Sequence, residues 1–352
     1  MATPKIDVHT HYLTPAYVKA LQKSGHVPGP DGLPFTPDWN PEDHLAFMDR
    51  NGISKSILSC TGPGTHLIPG DDAFGREVTR EVNEFAAELK RKFPTRFGFF
   101  ASLPLPDIDG ALLEIDYVLD QLDADGFVLM SNFHGMYLGD ARLAPVYAKL
   151  QARKAVVFVH PMTPCHAHAG NNAELTPQRK RDHIPLSDTY IVGMMGESYF
   201  TEYFFDSTRT FVDILLSGTA SEHPDVTFIV PHCGNALPSI LDRALLISSP
   251  EKRDFQTKPG AMRELSAHVV KEMFKTQFYF DLSGSPMPNL IHHMLRWTTS
   301  ERFLYGSDVP FNSWAAAEKL AAIMDSELPK LFGEQEIENI YYGNAERLFE
   351  TK

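Results

Sequence analysis

The sequence predicts an α/β fold, a closed (β/α)8 TIM barrel. Three observations carry this. Eight short, nearly all-apolar runs recur along the chain, amphipathic segments of helical period separate them, and no glycine-rich phosphate loop follows any run. Runs with few polar positions suit strands buried on both faces of a parallel sheet. Strand alternating with helix argues for a closed barrel, and the missing phosphate loop weighs against a doubly wound open sheet.

The strand candidates, in order, are residues 5–9, 55–60, 96–101, 125–130, 155–160, 226–231, 278–281 and 302–306. The fifth, Ala155-Val156-Val157-Phe158-Val159-His160, is almost wholly apolar. Between them, residues 74–92 place Val78, Val82, Phe85 and Leu89 at helical spacing. Segments 108–122 and 143–153 behave alike, and 206–222 carries Phe211, Ile214 and Leu215 on one side. Two stretches break the rhythm. Residues 25–40, rich in Gly, Pro and Asp, predict a loop over one end. Residues 161–200 separate the fifth strand from its helix by more than an ordinary connection and predict a lid or binding element. With no internal repeat and no low-complexity tract, residues 1–352 are expected to form one barrel domain with insertions.

Composition narrows the function classes. A 43% hydrophobic chain of 352 residues is globular, not disordered. A formal net charge of -13 repels phosphate backbones and argues against nucleic acid as a partner. It leaves room for a small anionic substrate, because a bound cation and one Arg outweigh a distant field. The three cysteines, Cys60, Cys165 and Cys233, form no C-x-x-C pair and are odd in number, which fits a reducing compartment. No signal-peptide pattern and no membrane-length apolar run is present, so a soluble cytoplasmic protein without a membrane partner is expected.

The strongest chemical signal is Asp7-Val8-His9-Thr10-His11. Two residues apart on a strand, His9 and His11 project to one face, and in a barrel the C-terminal end of a strand is the active-site rim. Imidazole suits zinc and similar divalent ions. One H-x-H pair is weak evidence. Yet His160 ends the fifth strand, His232 the sixth in Pro231-His232-Cys233-Gly234, and Asp308 the eighth in Tyr305-Gly306-Ser307-Asp308-Val309-Pro310. Singly, each is an ordinary polar residue at a strand end. Jointly, at one barrel mouth, they point to a metal site.

These motifs resemble the amidohydrolase superfamily, in its decarboxylase branch that includes aminocarboxymuconate semialdehyde decarboxylase. The likeness spans nearly the whole chain in the family's order. The stretches Phe205-Asp206-Ser207-Thr208-Arg209 and Leu215-Leu216-Ser217-Gly218 are most similar to fungal 6-methylsalicylate decarboxylases. The resemblance implies that His9, His11, His160 and Asp308 ligate one divalent ion, zinc first and manganese as the alternative. It implies that His232 is an acid/base group beside the ion. It implies that Arg243 reaches a substrate carboxylate, from its own or a neighbouring subunit, and that the protein is a homodimer. Two departures stand out: Asn235 where the family commonly has Gly, and the long 161–200 segment. Phe133 and His134 stand where binuclear relatives carry a carboxylated Lys, which supports a single ion.

The implied reaction is release of CO₂ from a small hydroxylated aromatic acid of the 6-methylsalicylate or salicylate kind. The ion orients carboxylate and ortho hydroxyl as a Lewis acid. Protonating the ring carbon gives an arenium-like intermediate, CO₂ leaves and aromaticity returns. Either His232 or Asp308 delivers the proton; the sequence does not choose. The alternative is a metal-dependent hydrolase of the same superfamily, a lactonase or amidase. Phe311 is a candidate apolar wall for a ring. His134 is either a pocket or a plain loop residue, His166 and His168 belong to the long loop, and His292 and His293 read as surface. Arg209 is expected to buttress a strand end, the Thr61–Gly64 glycines to give a tight turn or a close approach to ligand, and Cys233 to pack.

Overall fold

The computed structural model describes residues 3–33, 35–164, 201–248 and 264–350. Eight parallel strands form one sheet in sequence order. They are β1 (Lys5–His11), β2 (Ile53–Ser59), β3 (Phe97–Ser102), β4 (Gly126–Met130), β5 (Val156–His160), β6 (Thr227–Val230), β7 (Phe278–Asp281) and β8 (Phe303–Leu304). Backbone bonds close the ring between β1 and the chain leaving β8: Val8 N–H donates to the Tyr305 carbonyl at 3.0 Å and His11 N–H to the Val309 carbonyl at 2.8 Å. Phe158 points into the barrel beneath His9, while Phe228 packs outward against Tyr147 of a surrounding helix, and both are fully buried.

The helices follow from their periodicity and their caps. Principal helices are α1 (Pro15–Lys23), α2 (Pro41–Asn51), α3 (Asp72–Lys92), α4 (Ile108–Asp120), α5 (Ala144–Ala152), α6 (Glu202–Ser217), α7 (Leu237–Ser248), α8 (Ala267–Thr276) and α9 (Trp314–Glu327). Side chains of Thr14, Asn40, Asp71, Asp107, Ser266 and Ser313 accept the orphan first-turn N–H groups that start six of them. Val78, Val82 and Leu89 of α3 are buried, and so are Phe211, Ile214 and Leu215 of α6. Among the described residues no helix is long and apolar enough to cross a membrane.

Two expected strands are shorter than their apolar runs. β6 stops at Val230 and β8 at Leu304, because the chain then curls into positive-φ backbone at His232, Cys233 and Asp308. His232 and Asp308 therefore stand just past the strands, on turns. α6 begins four residues earlier than its periodicity suggests. Of the expected 161–200 lid, residues 165–200, with Cys165, His166 and His168, lie outside the described residues.

Candidate metal centre and active site

His9, His11, His160 and Asp308 converge at the C-terminal mouth of the barrel, each offering a ligand atom within 4.8 Å of the others. His9 and His11 come from β1 and His160 from the end of β5. Asp308 is delivered by the turn after β8, where its N–H donates to the His9 carbonyl at 2.7 Å. That turn lies hard against β1: a Cβ on Gly306 would sit 2.8 Å from the His9 Cβ, closer than carbon atoms approach, so only glycine fits. Asp7 clamps the same seam. Its carboxylate accepts the Ser307 N–H at 3.1 Å and the Ser307 hydroxyl at 2.6 Å.

The hydrogen bonds fix which ring nitrogens face inward. A carboxylate can only accept, so His9 Nδ1, 3.0 Å from Asp281 Oδ2, carries the proton. Ser59 spends its hydroxyl proton on the Thr10 carbonyl at 3.1 Å, so His11 Nδ1, 3.0 Å from Ser59 Oγ, is likewise the donor. Both Nε2 atoms then point at Asp308 Oδ1, at 3.4 and 3.3 Å, but complete no hydrogen bond, and both are buried. His160 Nδ1 is also buried without a partner. Buried nitrogens left unpaired are costly. Three imidazoles and a carboxylate gathered around them form the donor set that a divalent cation satisfies in one step. The residues therefore fit a metal ion.

Electrostatics agree. Burial, with His11 and His9 close by, pushes the His160 pKa well below the ordinary histidine value, and burial also lowers that of His11. Both are therefore neutral at neutral pH, the state in which an imidazole can bind a cation. Burial opposes charge on His9, but the Asp281 carboxylate outweighs it and pushes the pKa up to about 10. The proton so held on Nε2 must leave when a cation takes its place. Burial alone would raise Asp308; the facing His11, His232 and His9 hold it well below the usual carboxylate range, as suits an anionic ligand candidate.

His232 sits beside this cluster. Its ring is 4.8 Å from that of His9, its Nε2 is 3.7 Å from Asp308 Oδ2, and its N–H donates to Asp281 Oδ1 at 3.1 Å. Aromatic rings border the mouth. Phe311 meets His11 edge-on at 5.3 Å, Phe204 meets His232 at 5.3 Å, and Phe158 packs under His9 at 4.8 Å. Phe311 and Phe204 are half-buried.

The other sequence expectations meet mixed outcomes. Arg243 is exposed on α7, with no hydrogen-bond or ion-pair partner among the described residues. Arg209 does not buttress a strand end; it meets Asp206 and Glu202 of its own helix at 3.5 and 3.7 Å. The buttress is Asp206, buried, which accepts from Ser131, from Asn132 at 3.0 Å and from Tyr137 at 2.5 Å. His134 contacts His66 at 3.0 Å. The Asn235 amide turns back to the Pro231 carbonyl at 3.2 Å. Burial raises the Cys233 thiol far above its usual range, as suits a packing residue. His292 and His293 are exposed.

The roles of Asp281, Ser59, Asp7 and Phe204 were not anticipated from sequence. Asp281 had a signal: it is the acid closing the run Phe278-Tyr279-Phe280-Asp281. Asp281→Ala is expected to weaken metal affinity about 10–100-fold, the usual cost of losing the partner that orients a ligating histidine. Chelator competition measures this, and wild-type affinity would show that Asp281 does not orient His9.

The profile of the family described as Amidohydrolase matches residues 6–351. Decarboxylase yanB of Aspergillus niger is 35% identical over 332 residues, spanning 91% of this chain and 81% of that protein. The 6-methylsalicylic acid decarboxylase acuB of Aspergillus aculeatus is 32% identical over 311 residues, spanning 87% and 84%. In three dimensions the chain is similar to the dihydroxybenzoic acid decarboxylase of Polaromonas sp. JS666, solved with manganese and 2-nitroresorcinol. The TM-score is 0.74 at 22% identity, over 99% of this chain and 97% of that one. With the family profile covering nearly all of its length and a barrel mouth built to hold a cation, the chain belongs to the amidohydrolase family.

Proposed function

We propose that this chain is a metal-dependent carboxy-lyase that removes CO₂, without oxidation, from a hydroxylated aromatic acid of the salicylate or 6-methylsalicylate type. The observation that carries the reading is a three-histidine, one-aspartate cluster with a further imidazole, His232, and half-buried rings at its border. The activities named for the similar fungal proteins favour decarboxylation over lactone or amide hydrolysis.

His9, His11, His160 and Asp308 are the ligands. When bound, the ion supplies Lewis acidity and a positive anchor for the acid's carboxylate and ortho oxygen. His232 holds the proton destined for the ring carbon, and Asp308, the other candidate, is held anionic by its histidines. Phe311 and Phe204 flank the substrate ring and exclude water. Three nitrogen donors favour zinc; manganese, present in the Polaromonas structure, is the rival. Metal analysis of the purified protein decides between them.

The proposed assembly is a single-domain barrel that works as a cytoplasmic homodimer. Exposed Ile240 and Ile247 flank Arg243 on α7 and give that face an apolar surface for a second copy, whose substrate carboxylate Arg243 would serve. Arg243→Ala is expected to raise KM about tenfold at unchanged metal content, the scale of one charge-assisted hydrogen bond. An unchanged KM, or a monomer by light scattering, removes this role.

The deciding assay sets CO₂ release from salicylate-type acids against proton release from lactones, on metal-loaded protein. Proton release without CO₂ would overturn the decarboxylase reading.

A further inference from the structure

Asp31 is a buried carboxylate that none of the chemistry above uses. It lies in the turn Pro30–Gly32, in left-handed backbone with φ 50° and ψ 36°. A non-glycine residue keeps that conformation only where its surroundings fix it. Here one oxygen, Oδ2, accepts the Tyr203 hydroxyl at 2.5 Å and the Thr163 N–H at 2.7 Å. The Asp31 carbonyl also accepts the Thr163 hydroxyl at 3.3 Å. Gly62 packs against the same oxygen so closely that a Cβ there would come within 3.3 Å. Segments following β1, β2 and β5 thus meet the start of α6 at a single carboxylate. Burial raises its pKa to about 6 against the Tyr203 and Thr163 bonds, and no cation among the described residues pairs with it. Among the described residues, hydrogen bonds alone hold it.

The tether leads to the active site. The Tyr203 ring stands edge-on to His160 at 6.5 Å, and the next residue, Phe204, edge-on to His232 at 5.3 Å. The Tyr203 hydroxyl is therefore the anchor of a two-ring wall beside one metal-ligand candidate and the acid/base candidate. We propose that Asp31 is a positioning residue for the substrate ring: by tethering Tyr203 it fixes the Tyr203–Phe204 wall and sets how tightly an aromatic acid is held. It acts through Tyr203 and touches no reacting atom. A wall fixed in advance spares the ordering cost of binding, so loosening it weakens affinity more than chemistry. The inference rests on the decarboxylase reading.

The test is steady-state CO₂ release by full-length, metal-loaded protein on 6-methylsalicylate and salicylate, with metal content measured for every variant. Asp31→Ala and Tyr203→Phe are each expected to raise KM about tenfold, with kcat within about threefold and metal content unchanged. Combined, they raise KM no further than Asp31→Ala alone, because both delete the Tyr203–Asp31 bond. Asp31→Asn keeps an oxygen able to accept both donors and stays within about threefold of wild type. A Tyr203→Phe variant with unchanged KM, additive effects, or metal lost along with affinity would overturn the tether. Tyr203→Phe and Asp31→Asn decide the matter even if Asp31→Ala fails to fold. Wild-type CO₂ release with unmoved variants sinks the tether and leaves the decarboxylase reading standing. No CO₂ from wild type on either acid sinks that reading and the tether with it.

Discussion

Asp308→Ala is expected to empty the metal centre and to reduce CO₂ release to background in the same step. Asp308 is the one carboxylate among the four ligand candidates. Its Oδ1 lies 3.4 and 3.3 Å from the Nε2 atoms of His9 and His11, and its Oδ2 lies 3.7 Å from that of His232. Without it, a dication would face only imidazoles in a buried site, with no anion among its direct ligands. The affinity loss should exceed the roughly 10–100-fold that an outer partner of a ligand costs. The deletion also removes the one carboxylate that the buried His9 and His11 Nε2 atoms face, so the apo variant should melt below wild type. Metal analysis and the CO₂ assay read the two effects separately. Full turnover by a metal-free Asp308→Ala protein would disprove the site.

His232→Ala is expected to do the opposite to the metal and nearly the same to the rate. Metal content stays at the wild-type level, while kcat falls about 10²–10⁴-fold, the range for removing a positioned acid or base. His232 touches the cluster without completing it: its side chain reaches Asp308, and its main chain is held by Asp281. Its Nδ1 is buried with no hydrogen-bond partner. Its backbone sits at φ 52°, a conformation that a histidine adopts only when the surrounding turn imposes it. A structural histidine would be satisfied and relaxed; this one is neither. Unchanged kcat would transfer the proton to Asp308 or to solvent, and lost metal would make His232 a ligand.

The strands were legible because a barrel strand is buried on both faces, which writes a continuous apolar run into the sequence. Runs such as Val156–His160 have no other economical reading. The H-x-H pair was legible for a related reason, since strand geometry puts residues two apart on one face. Asp281 was harder. It closes a strand as His160 does, but its part in orienting His9 depends on two chain segments more than 270 residues apart meeting at 3.0 Å. Phe204 and Asp31 were illegible, because nothing local marks a ring or a carboxylate that matters only through a neighbour from another loop. Arg243 shows the converse. Its motif suggested a substrate contact, whereas one protomer leaves it exposed on α7.

By itself the sequence determined the alternating architecture, the order of the strands and the identity of the polar residues standing at their ends, because hydrophobic period and residue type are local properties. Only the tertiary structure decided that His9, His11, His160 and Asp308 converge, that His232 stands beside them, and which ring nitrogens face inward. Those depend on closing the barrel through Tyr305 and Val309, and on left-handed turns that no periodicity encodes.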